Sequence, residues 1–170
     1  MALEGGGGKF VIEGGHALRG TVTVNGSKNA TMGAMAAALL VAEDCILHDV
    51  PDIGDVGQMA GVMRSLGADV QWQAPHVLHI NAAGLNSNTA PTDIVGNLRG
   101  SFLVMGALLG RLGEAACAPP GGDVIGQRPI DVHLAGFTAL GAKVARAAEK
   151  YIARAARLKG ATIFCAYPSV

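Results

Sequence analysis

The sequence predicts an α/β fold assembled from a repeated unit of helix, strand, helix and hairpin. Apolar stretches with helical spacing alternate with short runs rich in Val, Ile and Ala. The tripeptide Leu-Gly-Ala closes a helix twice, at Leu66-Gly67-Ala68 and at Leu140-Gly141-Ala142. Half of the 170 residues are hydrophobic but only 4% are aromatic. The core must therefore be aliphatic, spread over many short elements with 25 glycines at their turns. A chain of this length has the size of one domain and buries roughly 68–70% of its unfolded surface, so no staples are needed.

Taken in order, residues 1–8 read as a disordered leader. Lys9 to Glu13 and Thr21 to Asn25 read as strands. A helix runs from Gly26-Ser27 to about Ala42, with Ser27 as N-cap. Met32, Met35, Ala36 and Leu39 form one stripe, and Ala34, Ala37, Ala38 and Val41 fill the other side, which predicts a helix buried all round. Cys45 to Val50 is a strand, and Asp52 to Asp55 a turn and cap. Val56, Met59, Ala60, Met63 and Leu66 mark an amphipathic helix, with Gly67 suited to a left-handed cap. Asp69 to Gln73 and His76 to Asn81 form a hairpin.

After a polar connection from Ala83 to Pro91, the unit repeats. Thr92 caps a long helix with Ile94, Leu98, Phe102, Met105 and Leu109 on one stripe. Glu114 to Ala118 is a strand. Pro129 opens a helix carrying Ile130, Leu134, Phe137 and Leu140, and Lys143 to Ala155 is the second hairpin. Ala161 to Ala166 begins a third copy as a strand. Units of this kind bury their faces against each other, so an incomplete set leaves an apolar flank exposed.

The formal net charge is zero with no basic stripe, which excludes nucleic acid as a partner. Cys45, Cys117 and Cys165 are widely spaced in apolar segments and read as reduced core thiols; a zinc site is not expected. The first ten residues hold Glu4 and four consecutive glycines, which is no secretory signal. The apolar run Ala30 to Ala42 falls short of the about 20 residues that span a bilayer. The expected location is the cytoplasm, away from membranes.

Two places have anion-handling character. Lys28 stands at the start of a helix, where free N–H groups and the dipole favour an anion; the plain alternative is a solvated lysine. The stretch Pro119 to His133 joins two prolines and two glycines to Asp123, then Arg128 and Pro129 at a helix start.

Asn25-Gly26-Ser27-Lys28-Asn29-Ala30, Pro120-Gly121-Gly122, Gly126-Gln127-Arg128-Pro129-Ile130-Asp131-Val132-His133 and Pro168-Ser169-Val170 together resemble the UDP-N-acetylglucosamine 1-carboxyvinyltransferase family. The resemblance runs from Lys9 onward. It implies an inside-out α/β barrel, the enolpyruvyl transferase fold, in which each of two domains holds three repeats and the active site lies between them. Residues 9–20 would supply a strand of the second domain. Residues 21–170 would be a partial first domain, with two repeats and the start of a third. The rest of the second domain would be missing, and with it a general-base carboxylate and an arginine that holds phosphoenolpyruvate.

The implied reaction moves enolpyruvyl from phosphoenolpyruvate to the 3-hydroxyl of UDP-N-acetylglucosamine and releases phosphate, the first committed step of peptidoglycan synthesis. No metal or bound cofactor is implied. Lys28, Asn29 and Arg128 match phosphoenolpyruvate ligands. Arg99, Arg128, Pro129, Ile130, Asp131, Val132, Tyr167, Pro168, Ser169 and Val170 match the nucleotide-sugar site. Residue by residue, plainer readings stand beside these. Arg128 could pair with Asp131, Asp131 could be a first-turn helix acid, Arg99 could flank an apolar stripe, and His133 could be structural. Asp123 falls where most of the family has a cysteine and a minority an aspartate, so it would be the proton donor; the plain alternative is an exposed loop aspartate. The antibiotic fosfomycin alkylates that cysteine, so resistance is expected. The alternatives are a non-catalytic nucleotide-sugar-binding or structural fragment and, more distantly, 3-phosphoshikimate 1-carboxyvinyltransferase-type activity.

Overall fold

A computed structural model describes residues 11–96, 98–120 and 130–165. Helix α1 (Lys28–Ala38) begins where Ser27 ends the extended chain, the Ser27 hydroxyl accepting the Ala30 N–H at 3.4 Å. Strand β1 (Asp44–Leu47), helix α2 (Gly54–Ser65) and the hairpin β2 (Asp69–Ala74) and β3 (Val77–Asn81) complete the first unit. The second unit holds a short helix α3 (Thr92–Val95), a 3-10 turn (Arg99–Leu103), α4 (Val104–Leu112), β4 (Glu114–Cys117), α5 (Asp131–Ala139), β5 (Lys143–Ala147) and β6 (Lys150–Arg154).

The repetition read from the sequence is present in the topology. Each unit makes a three-stranded antiparallel sheet whose last strand lies in the middle, in the orders β1-β3-β2 and β4-β6-β5. The registers open alike, Asp44 facing Asn81 and Glu114 facing Arg154. Both Leu-Gly-Ala turns place glycine in the left-handed region, Gly67 at φ 100° and Gly141 at φ 94°. The chain leaving the first unit joins the second sheet, where the Ala90 N–H donates to the Ala116 carbonyl at 3.0 Å and the Ala116 N–H to the Asn88 carbonyl at 2.8 Å.

One hydrophobic cluster runs through both units, so neither is an independent domain. Met35 of α1 and Leu39 at its C-cap, Met59 and Met63 of α2, and Met105, Leu108 and Leu109 of α4 are fully buried in it. Each such side chain contributes about 1.5–3 kcal/mol through removal from water. Helix α1 touches α2, the 3-10 turn and α4, while the sheets pack from outside with β4 on α4 and β2 on α2. Helices inside and sheets outside match the inside-out arrangement, and the two units leave the barrel open.

Several expectations need correction. Helix α1 stops at Ala38, and Gly33, Ala34 and Ala37 are exposed, so it buries one face and not its whole girth. Its apolar far side has no covering element among the described residues. The long helix expected from Thr92 is broken into α3, the 3-10 turn and α4, and Thr92 is not its cap, since Pro91 takes that position without a side-chain bond. The fully buried Ser101 lies at the break, its one hydroxyl proton directed at the Leu98 carbonyl with the Val95 carbonyl at the margin of reach; such a side-chain bond competes with the helical ladder, beside Gly96 and Gly100.

Residues 11–13, 21–25 and 161–165 join no strand among the described residues, whereas strands were expected there. Alternation makes a strand only where a ladder partner exists, and Val22 and Val24 are 87% and 88% exposed. Of the cysteines only Cys117 is a core residue; Cys45 is half-buried and Cys165 exposed, all three as free thiols. Residues 1–10 and Ala166, expected to be a leader with the start of a strand and the end of another, lie outside the described residues. Among the described residues no helix is long and apolar enough to cross a membrane.

Candidate functional site

The candidate residues of the first unit lie at the N-terminus of α1, and the described ones of the second unit lie in the 3-10 turn and at the start of α5. Gly26 lets α1 start there: a Cβ on it would lie 1.7 Å from the Asp49 carbonyl oxygen, so only glycine permits this approach to the β1–α2 connection. Lys28 follows in the first turn. Its ammonium opposes the α1 dipole, a cost of a few tenths of a kcal/mol in isolation. The structure offsets this with Asp55 in the first turn of α2, whose Oδ2 accepts from Lys28 Nζ at 2.7 Å. Asn29 is exposed beside it.

One turn further, Met32 packs against Gly100, whose added Cβ would lie 3.2 Å from Met32 Cγ. That contact sets the 3-10 turn, and with it the half-buried Arg99, against the same half of α1. Phe102 of the turn meets His133 of α5, ring centroids 5.6 Å apart and planes inclined by 57°. The edge of Tyr151 completes the cluster at 6.4 Å from Phe102. Burial first, then the Arg99 guanidinium, hold the His133 imidazole below its ordinary range against the opposing charge of Asp131. An uncharged His133 is therefore favoured, flanked by Arg99 and Asp131. Ile130 is buried at the α5 N-terminus and Val132 half-buried.

Of the residues singled out from the sequence, Lys28 and Asn29 thus lie on the α1 end, and Arg99, Ile130, Asp131, Val132 and His133 on the adjoining second unit. Asp123, Arg128, Pro129, Tyr167, Pro168, Ser169 and Val170 lie outside the described residues. Sequence reasoning missed Asp55, which it read as part of a capping turn. The cap position is Ile53, with no side-chain bond, and Asp55 serves Lys28 instead. Nothing in the local sequence signals a partner in another helix. It also read Phe102 only as stripe, not as a ring against His133.

Free N–H groups at the start of α1, with Lys28 in that first turn, are a feature that favours an anion. No group of three His, Cys, Asp or Glu that could hold a metal ion occurs among the described residues. An open groove of about 320 Å³ at the β2–β3 turn, lined by Asp52, Trp72, Gln73, Ala74, Pro75 and His76, includes none of the candidate residues.

The sequence family described as EPSP synthase (3-phosphoshikimate 1-carboxyvinyltransferase) matches residues 12–170. Three relatives are named UDP-N-acetylglucosamine 1-carboxyvinyltransferase, that of Carboxydothermus hydrogenoformans with the suffix 2. The chain is 44% identical to that of Gloeobacter violaceus, over 94% of this chain and 35% of the relative. It is 44% identical to the Carboxydothermus hydrogenoformans protein over 95% of this chain and 38% of the relative. For Bradyrhizobium diazoefficiens the identity is 40%, over 95% of this chain and 37% of the relative. The chain thus spans little more than a third of the length of these relatives. Among solved structures, the enolpyruvyl transferase NikO from Streptomyces tendae superposes with a TM-score of 0.71 at 24% identity, covering 85% of this chain and 32% of that one. This likeness shows the fold.

Proposed function

Because the chain belongs to the EPSP synthase (3-phosphoshikimate 1-carboxyvinyltransferase) family, we propose that it is part of an enolpyruvyl transferase whose acceptor is UDP-N-acetylglucosamine. The observation that carries the reading is Lys28 at the start of α1, a helix that packs on the 3-10 turn carrying Arg99, with His133 beside Arg99. The names of relatives at 40–44% identity favour the nucleotide sugar over 3-phosphoshikimate as acceptor.

In this reading Lys28, Asn29 and Arg128 hold the phosphate and carboxylate of phosphoenolpyruvate. Arg99, Arg128, residues 129–132 and residues 167–170 hold the nucleotide sugar. The sugar 3-hydroxyl adds to the enol carbon and loses its proton to a base, while Asp123 gives a proton to the methylene carbon. A tetrahedral intermediate results; a base then takes a proton back from its methyl carbon as phosphate leaves, which restores the double bond. Asp123 can act only if desolvation or a neighbouring anion keeps it protonated near neutral pH. Residues 9–20 and a second domain would close the cleft and supply the base and a further arginine. The setting would be the cytoplasm, at the start of peptidoglycan synthesis.

The test is phosphate release from phosphoenolpyruvate in a protein containing these residues together with the remaining domain. Release on adding UDP-N-acetylglucosamine, and none on adding 3-phosphoshikimate, is the expected result; the opposite preference overturns the assignment. Saturable nucleotide-sugar binding without release would favour the second reading, a non-catalytic module. Fosfomycin alkylates a thiolate, and a carboxylate is a poor substitute. The expected outcome is retained activity after prolonged exposure, with no adduct on Asp123 by mass spectrometry.

A further inference from the structure

We propose that Asp55 is a positioning residue for the anion site, holding the Lys28 ammonium at the mouth of α1 so that its remaining N–H donors face the phosphate of phosphoenolpyruvate. The inference rests on the reading of Lys28 as an anion ligand. Its ground is the 2.7 Å bond between Lys28 Nζ and Asp55 Oδ2, which joins the first turns of two different helices.

Both ends of this bond are fixed from behind. Asp55 precedes the fully buried Val56 on the face of α2 that carries Met59 and Met63. Lys28 follows Gly26, whose backbone presses against Asp49 in the connection that leads to α2. The carboxylate sits where the α2 dipole favours negative charge, and it offsets the α1 dipole that would drive Lys28 outward. An ammonium has three donors; Asp55 uses one and leaves two. A lysine stem is flexible, and a held amine loses less freedom when an anion arrives. The pair is about half exposed, with side-chain exposures of 52% and 36%, and exposed pairs contribute little to stability. Removing the carboxylate should therefore change binding and leave folding intact.

The experiment follows the Lys28 side-chain resonance by NMR while phosphoenolpyruvate, and separately inorganic phosphate, is titrated into a protein containing these residues together with the remaining domain. The unsubstituted protein is expected to give a saturable shift that Lys28→Met removes. Asp55→Asn should weaken phosphoenolpyruvate binding about fivefold, and Asp55→Glu should restore most of it. The melting temperature of either Asp55 variant should move by about 2 °C or less. Unchanged or tighter binding in Asp55→Asn overturns the inference and leaves the function proposed for Lys28 standing. No saturable shift in the unsubstituted protein overturns both. Weakened binding in Asp55→Asn together with a large fall in melting temperature, not rescued by Asp55→Glu, assigns Asp55 a merely structural role and overturns the inference.

Discussion

Single residues carry the constraints that are easiest to test. Gly67 lies at φ 100°, and a Cβ there would come 2.3 Å from the Gly84 carbonyl oxygen. Gly67→Ala combines backbone strain with a clash against backbone, so a loss of about 2–3 kcal/mol is expected by chemical denaturation. Cys117 gives a pH dependence. Burial pushes its thiol up to about 12, with the Lys150 charge opposing, from an ordinary value of 9.0. A thiol raised on folding contributes stability that is fully present below the unfolded value and is lost as pH rises toward the folded one. Stability should therefore fall between about pH 9 and 12, and Cys117→Ala should flatten that fall in pH-dependent melts. At pH 8 a thiol reagent should label the exposed Cys165 at once and Cys117 only on unfolding. The glycine requirement at Gly67 was legible in Leu-Gly-Ala, because a left-handed cap is a local matter. The Lys28–Asp55 bond was not, because its two ends lie in different helices.

At the scale of elements, Arg111 ties α4 to the end of α1. Its Nη1 donates to the carbonyls of Leu39 at 2.8 Å and Val41 at 2.9 Å. A guanidinium from α4 thus satisfies carbonyls at the C-terminal end of α1, where the dipole favours a cation. Arg111→Met keeps much of the apolar stem and removes the bonds; a loss of about 1–2 kcal/mol is expected, with α1 amides exchanging faster by hydrogen-exchange mass spectrometry. The helix–strand–helix–hairpin order was readable because the apolar period changes from helical spacing to alternation at each boundary. The break between Thr92 and Leu112 was not, because an unbroken apolar stripe hides a buried serine that bonds backward to a carbonyl. Nor was the lack of strand pairing at residues 11–13, 21–25 and 161–165, because a strand's existence depends on a neighbour.

Over the whole molecule, the two units share one core but leave much apolar surface open. Val11, Ile12, Leu18, Val22, Val24 and Phe164 are almost fully exposed, and Leu40 and Val41 continue the uncovered side of α1. Helix α5 has no buried residue. Apolar surface on this scale binds dyes and other chains. The chain alone is expected to bind anilinonaphthalene sulfonate and to sediment as a concentration-dependent mixture. A sharp cooperative melt from a monodisperse, dye-free monomer would contradict this.

By itself the sequence determined the α/β class, the repeated unit, the two glycine caps, the serine cap of α1 and the residues carrying the likeness to an enolpyruvyl transferase. Each of these is set by local backbone preference, apolar period or residue identity. Only the tertiary structure decided which face of each helix is buried and which strands pair. It also decided that Asp55 meets Lys28, and that Arg99 and Phe102 flank His133. Those outcomes depend on which distant segments come to lie side by side, and one chain's local pattern holds no record of that.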